Sequence, residues 1–121
     1  MQRILLKSKI HRATLTATDL HYEGSITIDA KLLRAADILP GEQVHVLNLN
    51  NGSRLITYAI EGPEDSGLIL LNGPAARSGM PGDMIVVLTY AHVDEKELAG
   101  YRPTILTVDE TNKIKGTKHG A

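Results

Sequence analysis

Ser25 and its neighbours hold the side chains in this chain best placed for covalent chemistry. Ser25 follows Gly24, and His21 lies four residues before it. That spacing suits a nucleophile and its base, but alone it is a weak pairing, and an ordinary loop dipeptide looks the same. Other routes to catalysis are unmarked. No HExxH, GxSxG, Walker or GxGxxG pattern occurs. The five histidines (His11, His21, His45, His92, His119) show no metal-ligand spacing. Each reads as a surface or hydrogen-bonded histidine rather than a ligand. No cysteine is present, which excludes disulfides, thiolate nucleophiles and Cys–Zn sites together.

Composition narrows the classes further. A length of 121 residues suits one domain, and 42% apolar residues can build its interior. Thirteen basic and 14 acidic residues leave a formal charge of −1. Such a surface is a poor partner for nucleic acid or an anionic membrane. Four Tyr, with no Phe or Trp, make a base-stacking platform implausible. The start, Met1-Gln2-Arg3-Ile4-Leu5-Leu6-Lys7, lacks a signal-peptide apolar core. No stretch approaches the ~18 apolar residues of a membrane span. A cytoplasmic protein is expected.

The elements that must position these residues are mostly strands. Arg3 to Lys9 and Arg12 to Thr18 read as two short strands, the second with period-two Thr14, Thr16 and Thr18. Ser25 to Ile28 reads as another. Asp29 caps a helix through Ala36, and Pro40-Gly41 turns the chain. Gln43 to Leu49 and Arg54 to Glu61 flank Asn50-Asn51-Gly52, a hairpin signal. Leu68 to Leu71, Asp83 to Tyr90 and Thr104 to Val108 complete the strands, and Asp94 caps a short helix over Glu95 to Ala99. The domain is expected to span residues 1–111, and the polar tail 112–121 to be flexible.

One segment repeats. Residues 36–47 resemble residues 77–88, with Pro40 and Pro81 41 positions apart. Each copy runs from a small Ala-containing helix through Pro-Gly and an acid into an alternating apolar strand. Neither half buries its apolar face alone, so a mainly β barrel with pseudo-twofold symmetry is predicted.

The stretch Leu20-His21-Tyr22-Glu23-Gly24-Ser25-Ile26 closely resembles the self-cleavage motif of the pyruvoyl-dependent aspartate 1-decarboxylases. One further match lies ahead of it, Lys9-Ile10-His11-Arg12, and three follow in order: Asn51-Gly52-Ser53-Arg54, Thr57-Tyr58-Ala59-Ile60 and Asn72-Gly73-Pro74-Ala75-Ala76. The resemblance covers about residues 1–108. It implies a double-psi β-barrel, a homotetramer with sites between subunits, and cleavage between Gly24 and Ser25. In that reaction Ser25 Oγ would attack the Gly24 carbonyl, and the resulting ester would lose the Ser25 α-proton and eliminate. Hydrolysis would then leave a covalent pyruvoyl group, with no metal required. A strained turn can offset ~1–3 kcal/mol of that uphill shift, and glycine permits the close approach. The fragments would be residues 1–24 and 25–121.

The same resemblance implies the activity and its residues. L-Aspartate would bind the pyruvoyl ketone as a Schiff base, lose CO2 and leave as β-alanine, for pantothenate and coenzyme A. Tyr58 would donate the proton, and Arg54 and Lys9 would bind carboxylate. Thr57 would serve self-processing and substrate binding. Asn72, Gly73, Pro74 and Ala75 would contact substrate through backbone groups, and His11 and Tyr22 would line the site. Pro74 departs from the alanine common in the family and removes one backbone N–H. Some members need a helper protein to cleave. Strand alternation puts Arg54 and Tyr58 on one face, Thr57 on the other, and Lys9 with His11. Two alternatives stay open: a non-catalytic β-barrel binding or assembly module, and a pyruvoyl decarboxylase of another acidic amino acid.

Overall fold

The computed structural model describes residues 1–120. Its strands are β1 (Gln2–Thr14), β2 (Ala17–Asp19), β3 (Ser25–Asp29), β4 (Gln43–Asn48), β5 (Arg54–Gly62), β6 (Ile69–Asn72), β7 (Met84–Asp94), β8 (Thr104–Val108) and β9 (Ile114–His119). One α-helix, α1 (Ala30–Ala35), and two 3-10 helices (Gly73–Ser78 and Glu95–Gly100) complete it. Asp29 caps α1 by accepting from the Lys31 N–H at 2.9 Å.

The two Pro-Gly turns organise the sheet. Gly41 and Gly82 take φ of 87° and 97°, a region that favours glycine. Glu42 accepts from the Leu39 N–H at 3.0 Å, and Asp83 accepts from the Met80 N–H at 2.9 Å. The turns launch β4 and β7, which pair antiparallel with Val46 opposite Val87. Those residues are 41 apart, so the repeat pairs with itself.

The nine-stranded order β2-β6-β3-β5-β4-β7-β1-β8-β9 carries that symmetry outward. On one side β4–β5 is antiparallel, β5–β3 parallel and β3–β6 antiparallel. On the other, β7–β1, β1–β8 and β8–β9 follow the same sequence of directions. The sheet is therefore mixed and the protein mainly β. Leu15 and Thr16 alone link β1 to β2, which stand six strand positions apart. Flat, that gap is about 29 Å at about 4.8 Å per strand. The short link spans only about 10 Å, so the sheet curls, as a double-psi barrel requires. Ile10, Leu15, Ile26, Ile28, Val44, Ile69, Leu71, Ile85, Val87 and Leu106 fill the interior with 1% exposure or less.

Two expectations change. The first two strands are instead one long β1 followed by a short β2. β1 absorbs irregularities between Leu6 and Ser8 and between Ile10 and Ala13, with Arg12 at φ 59°. A bulge bends a strand without ending it. The tail from Asn112 is not frayed over its length: Ile114–His119 forms β9 on β8. Asn112 anchors it with its buried amide, which accepts from the Thr14 N–H and donates to the Thr14 and Gly67 carbonyls, each at 2.8 Å. Its low apolar content hid a strand held by backbone pairing. Ala121 lies outside the described residues.

Candidate active site

Ser25 opens β3, directly opposite Asn72 at the end of β6. Both are buried, at 0% and 1% exposure. Asn72 Nδ2 donates to Ser25 Oγ and to Thr27 Oγ1, each at 2.9 Å. The two amide hydrogens account for both bonds. The Ser25 hydroxyl in turn donates toward the Glu23 carbonyl at 3.4 Å. Asn72 Oδ1 is buried without a partner, an uncommon and costly state. His21 is not a partner of Ser25; its backbone N–H donates to Asp19 Oδ1 at 3.2 Å.

The segment after Asn72 presses on the residues before Ser25. Gly73 has φ 61°, and a Cβ there would lie 2.6 Å from the Tyr22 carbonyl oxygen and 2.7 Å from the Gly24 nitrogen. Only glycine allows that approach. A Cβ on Gly24 would lie 3.3 Å from Pro74 Cδ. Pro74 occupies the first turn of the helix Gly73–Ser78, where backbone N–H groups lack intrahelical partners. Gly24, Thr57, Pro74 and Ala75 line a cavity of about 320 Å³. Tyr22 is exposed beside this segment.

β5 splits its functional residues by face, as alternation requires. Thr57 is partly buried and faces the Gly24 cavity. Arg54 and Tyr58 are exposed on the opposite side. Arg54 shares a second cavity, about 500 Å³, with Lys9, walled by Leu47, Val86 and Leu88. Register explains the meeting: Lys9 lies opposite Leu88, Leu88 opposite His45, and Leu47 opposite both Arg54 and Val86. Among the described residues neither Lys9 nor Arg54 makes an ion pair. Arg54 Nη1 is 3.5 Å from His45 Nδ1, and His45 meets Tyr90 edge-on at 5.0 Å. Tyr58 lines neither cavity.

His11 lies beyond Lys9, with Nδ1 buried and unpartnered. Burial, then the charges of Lys9 and Arg12, pull its pKa below the ordinary histidine value. Among the described residues, no three His, Asp or Glu side chains gather as metal ligands. No helix among them is long and apolar enough to cross a membrane.

The single chain thus divides the expected residues. Gly24, Ser25, Thr57, Asn72, Gly73, Pro74 and Ala75 meet at the junction of β3, β5 and β6. Lys9 and Arg54 meet on the outer face of the sheet. Sequence reading missed Thr27, and it expected only backbone contacts from the Asn72 segment. The Asn72 amide depends on the β3–β6 register, which carries no sequence signal.

The chain matches the family described as aspartate decarboxylase over residues 1–115. It is 54% identical to the aspartate 1-decarboxylase of Moorella thermoacetica, over 99% of this chain and 94% of that protein. It is 56% identical to that of Syntrophobacter fumaroxidans, over 93% and 91%. Against the enzyme of Myxococcus xanthus it is 54% identical, over 94% and 88%. With this identity spanning nearly its whole length, and with Ser25 held by Asn72 behind Gly24, the chain belongs to the aspartate decarboxylase family.

Proposed function

We propose that this chain is a self-cleaving decarboxylase that converts L-aspartate to β-alanine and CO2, a cytoplasmic step toward pantothenate and coenzyme A. The observation that carries the reading is the Asn72 bond to Ser25 Oγ, behind a Gly24 that borders a cavity. The residues fit a pyruvoyl group made from Ser25. The Ser25 hydroxyl is buried and oriented by Asn72, and Gly24 beside it lines a cavity. Once formed, that group supplies an electrophilic carbonyl that withdraws electrons as CO2 leaves.

This chain's own residues do the rest. Asn72 fixes the Ser25 oxygen, and Thr57 lines the cavity that Gly24 borders. The Arg54 guanidinium takes a carboxylate through two parallel N–H bonds, and Lys9 adds a second positive charge for a dianion. The Tyr58 phenol delivers a proton. Lys9 and Arg54 line a different cavity from Gly24. In a homotetramer with shared sites, a neighbouring copy would bring them to the Ser25 of this one. The exposed apolar residues Ile56, Tyr58 and Tyr90 around that face suit burial between copies.

The test is the intact mass of purified wild-type chain under denaturing conditions, with and without cell extract. Fragments 1–24 and 25–121, the larger reactive toward hydrazines, together with β-alanine formation, are expected. Extract-dependent cleavage would identify a helper protein. Functional material that remains one chain with an unmodified Ser25 overturns the reading.

A further inference from the structure

The sheet holds a second basic cleft on the side of Lys9 away from Arg54. It measures about 440 Å³. Two rows of the sheet build it. In one row Lys9 of β1 stands beside Ile105 of β8, which stands beside Lys118 of β9. In the next row on that face, His11, Thr107 and Gly116 are aligned in the same way. Laterally paired residues point to one side of a sheet, so both lysines, His11 and the Thr107 hydroxyl share a face. Strands two apart are separated by about 9.6 Å, which the long lysine side chains close easily. Gly116 has no side chain and leaves the cleft open.

The charge here is uncompensated. No acidic residue lines the cleft. Among the described residues Lys9 and Lys118 make no ion pair, and His11 Nδ1 is buried without a partner. A chain with one more acid than base had the means to neutralise this patch. No arginine fork is present either. The Thr107 hydroxyl donates to the Gly116 carbonyl at 3.3 Å, which leaves its oxygen as an acceptor; two lysine point charges beside an imidazole suit a compact tetrahedral oxyanion better than a planar carboxylate.

We propose that this cleft is a binding site for the phosphate group of a small molecule. Its volume exceeds the phosphate and leaves room for an organic remainder. Because Lys9 borders both cavities, an occupant draws its ammonium away from Arg54 and weakens substrate binding. That coupling rests on the function proposed above; the site itself does not.

Equilibrium dialysis of the full wild-type chain against labelled inorganic phosphate, with ionic strength held by chloride, tests the site. Saturable binding is expected, weakened about tenfold by Lys118→Ala through loss of one charge-assisted contact. Lys118→Arg should restore most of it, and Arg54→Ala should leave it nearly unchanged. Lys118 is exposed on an edge strand, so its substitution spares the fold. No saturable binding at tens of millimolar phosphate, or loss through Arg54→Ala instead of Lys118→Ala, overturns the proposal. In turnover assays phosphate should raise KM for L-aspartate without lowering kcat in wild type, and not in Lys118→Ala. An unchanged wild-type KM overturns the coupling. A wild-type chain that forms no β-alanine refutes the proposed function, while the dialysis still decides the site.

Discussion

Asn72 Nδ2 lies 2.9 Å from Ser25 Oγ across the β3–β6 pairing, and the same nitrogen reaches Thr27 Oγ1. One amide therefore sets where the Ser25 oxygen points before the adjacent peptide bond can react. Asn72→Ala should slow self-cleavage at least about tenfold, the effect of losing one buried hydrogen bond at a reacting atom. Time-resolved mass measurement after synthesis checks this. Fragments appearing at the wild-type rate would leave Asn72 a packing role only.

Tyr58 is 40% exposed, on the face of β5 away from the Gly24 cavity. Tyr58→Phe should leave cleavage intact and lower kcat by about 10²–10⁴-fold, the usual loss of a general acid. Fragment masses and β-alanine production on one sample separate the two effects. Near-normal turnover would assign the proton to another group.

Arg54 and Lys9 share a cavity that Gly24 does not line. Arg54→Ala should therefore raise KM for L-aspartate by about 10–100-fold, equivalent to one charge-assisted pair. The extent of cleavage should not change. If cleavage fails together with binding, the two clusters are not functionally separate.

Asn112 ties β9, the end of β1 and the loop at Gly67 together through three hydrogen bonds. Asn112→Ala should cost about 2–4 kcal/mol, since buried partners are left unpaired. The urea midpoint of the uncleaved Ser25→Ala chain, with and without the second substitution, measures it. Equal midpoints would mean that β9 is held by strand pairing alone.

Burial, followed by Lys9 and Arg12, lowers the His11 pKa. The unfolded chain, titrating near about 6.5, then binds the proton more readily than the folded one. The contribution of His11 to stability is present above that pH and is lost as pH falls through the folded value. Denaturation midpoints between pH 7.5 and about 5 should decline, and His11→Gln should flatten that segment. An unaltered slope in the variant would exclude His11 as the cause.

Much of this protein was legible as residues and spacing. The Pro-Gly-acid repeat predicted two equivalent turns, and Val46 meets Val87 across them. The Asp29 cap and the Asn50-Asn51-Gly52 hairpin formed as expected. Arg54, Thr57 and Tyr58 fell on the faces that period-two alternation dictates. These signals are local, carried by φ preferences, capping atoms and side-chain alternation. The tail was misread for the same reason: β9 has few apolar residues and depends on pairing with β8 and on Asn112, contacts remote in sequence.

The amino-acid order alone settled the strand-rich class, the internal repeat and the chemical types gathered around Gly24-Ser25. Tertiary structure decided which of them touch. It brought Asn72 to Ser25 from 47 positions away, pressed Gly73 against Gly24, and sent Lys9 and Arg54 to another cavity. Those outcomes follow from strand register and sheet curvature, which are set by the burial of the whole core and have no signature in any short stretch of chain.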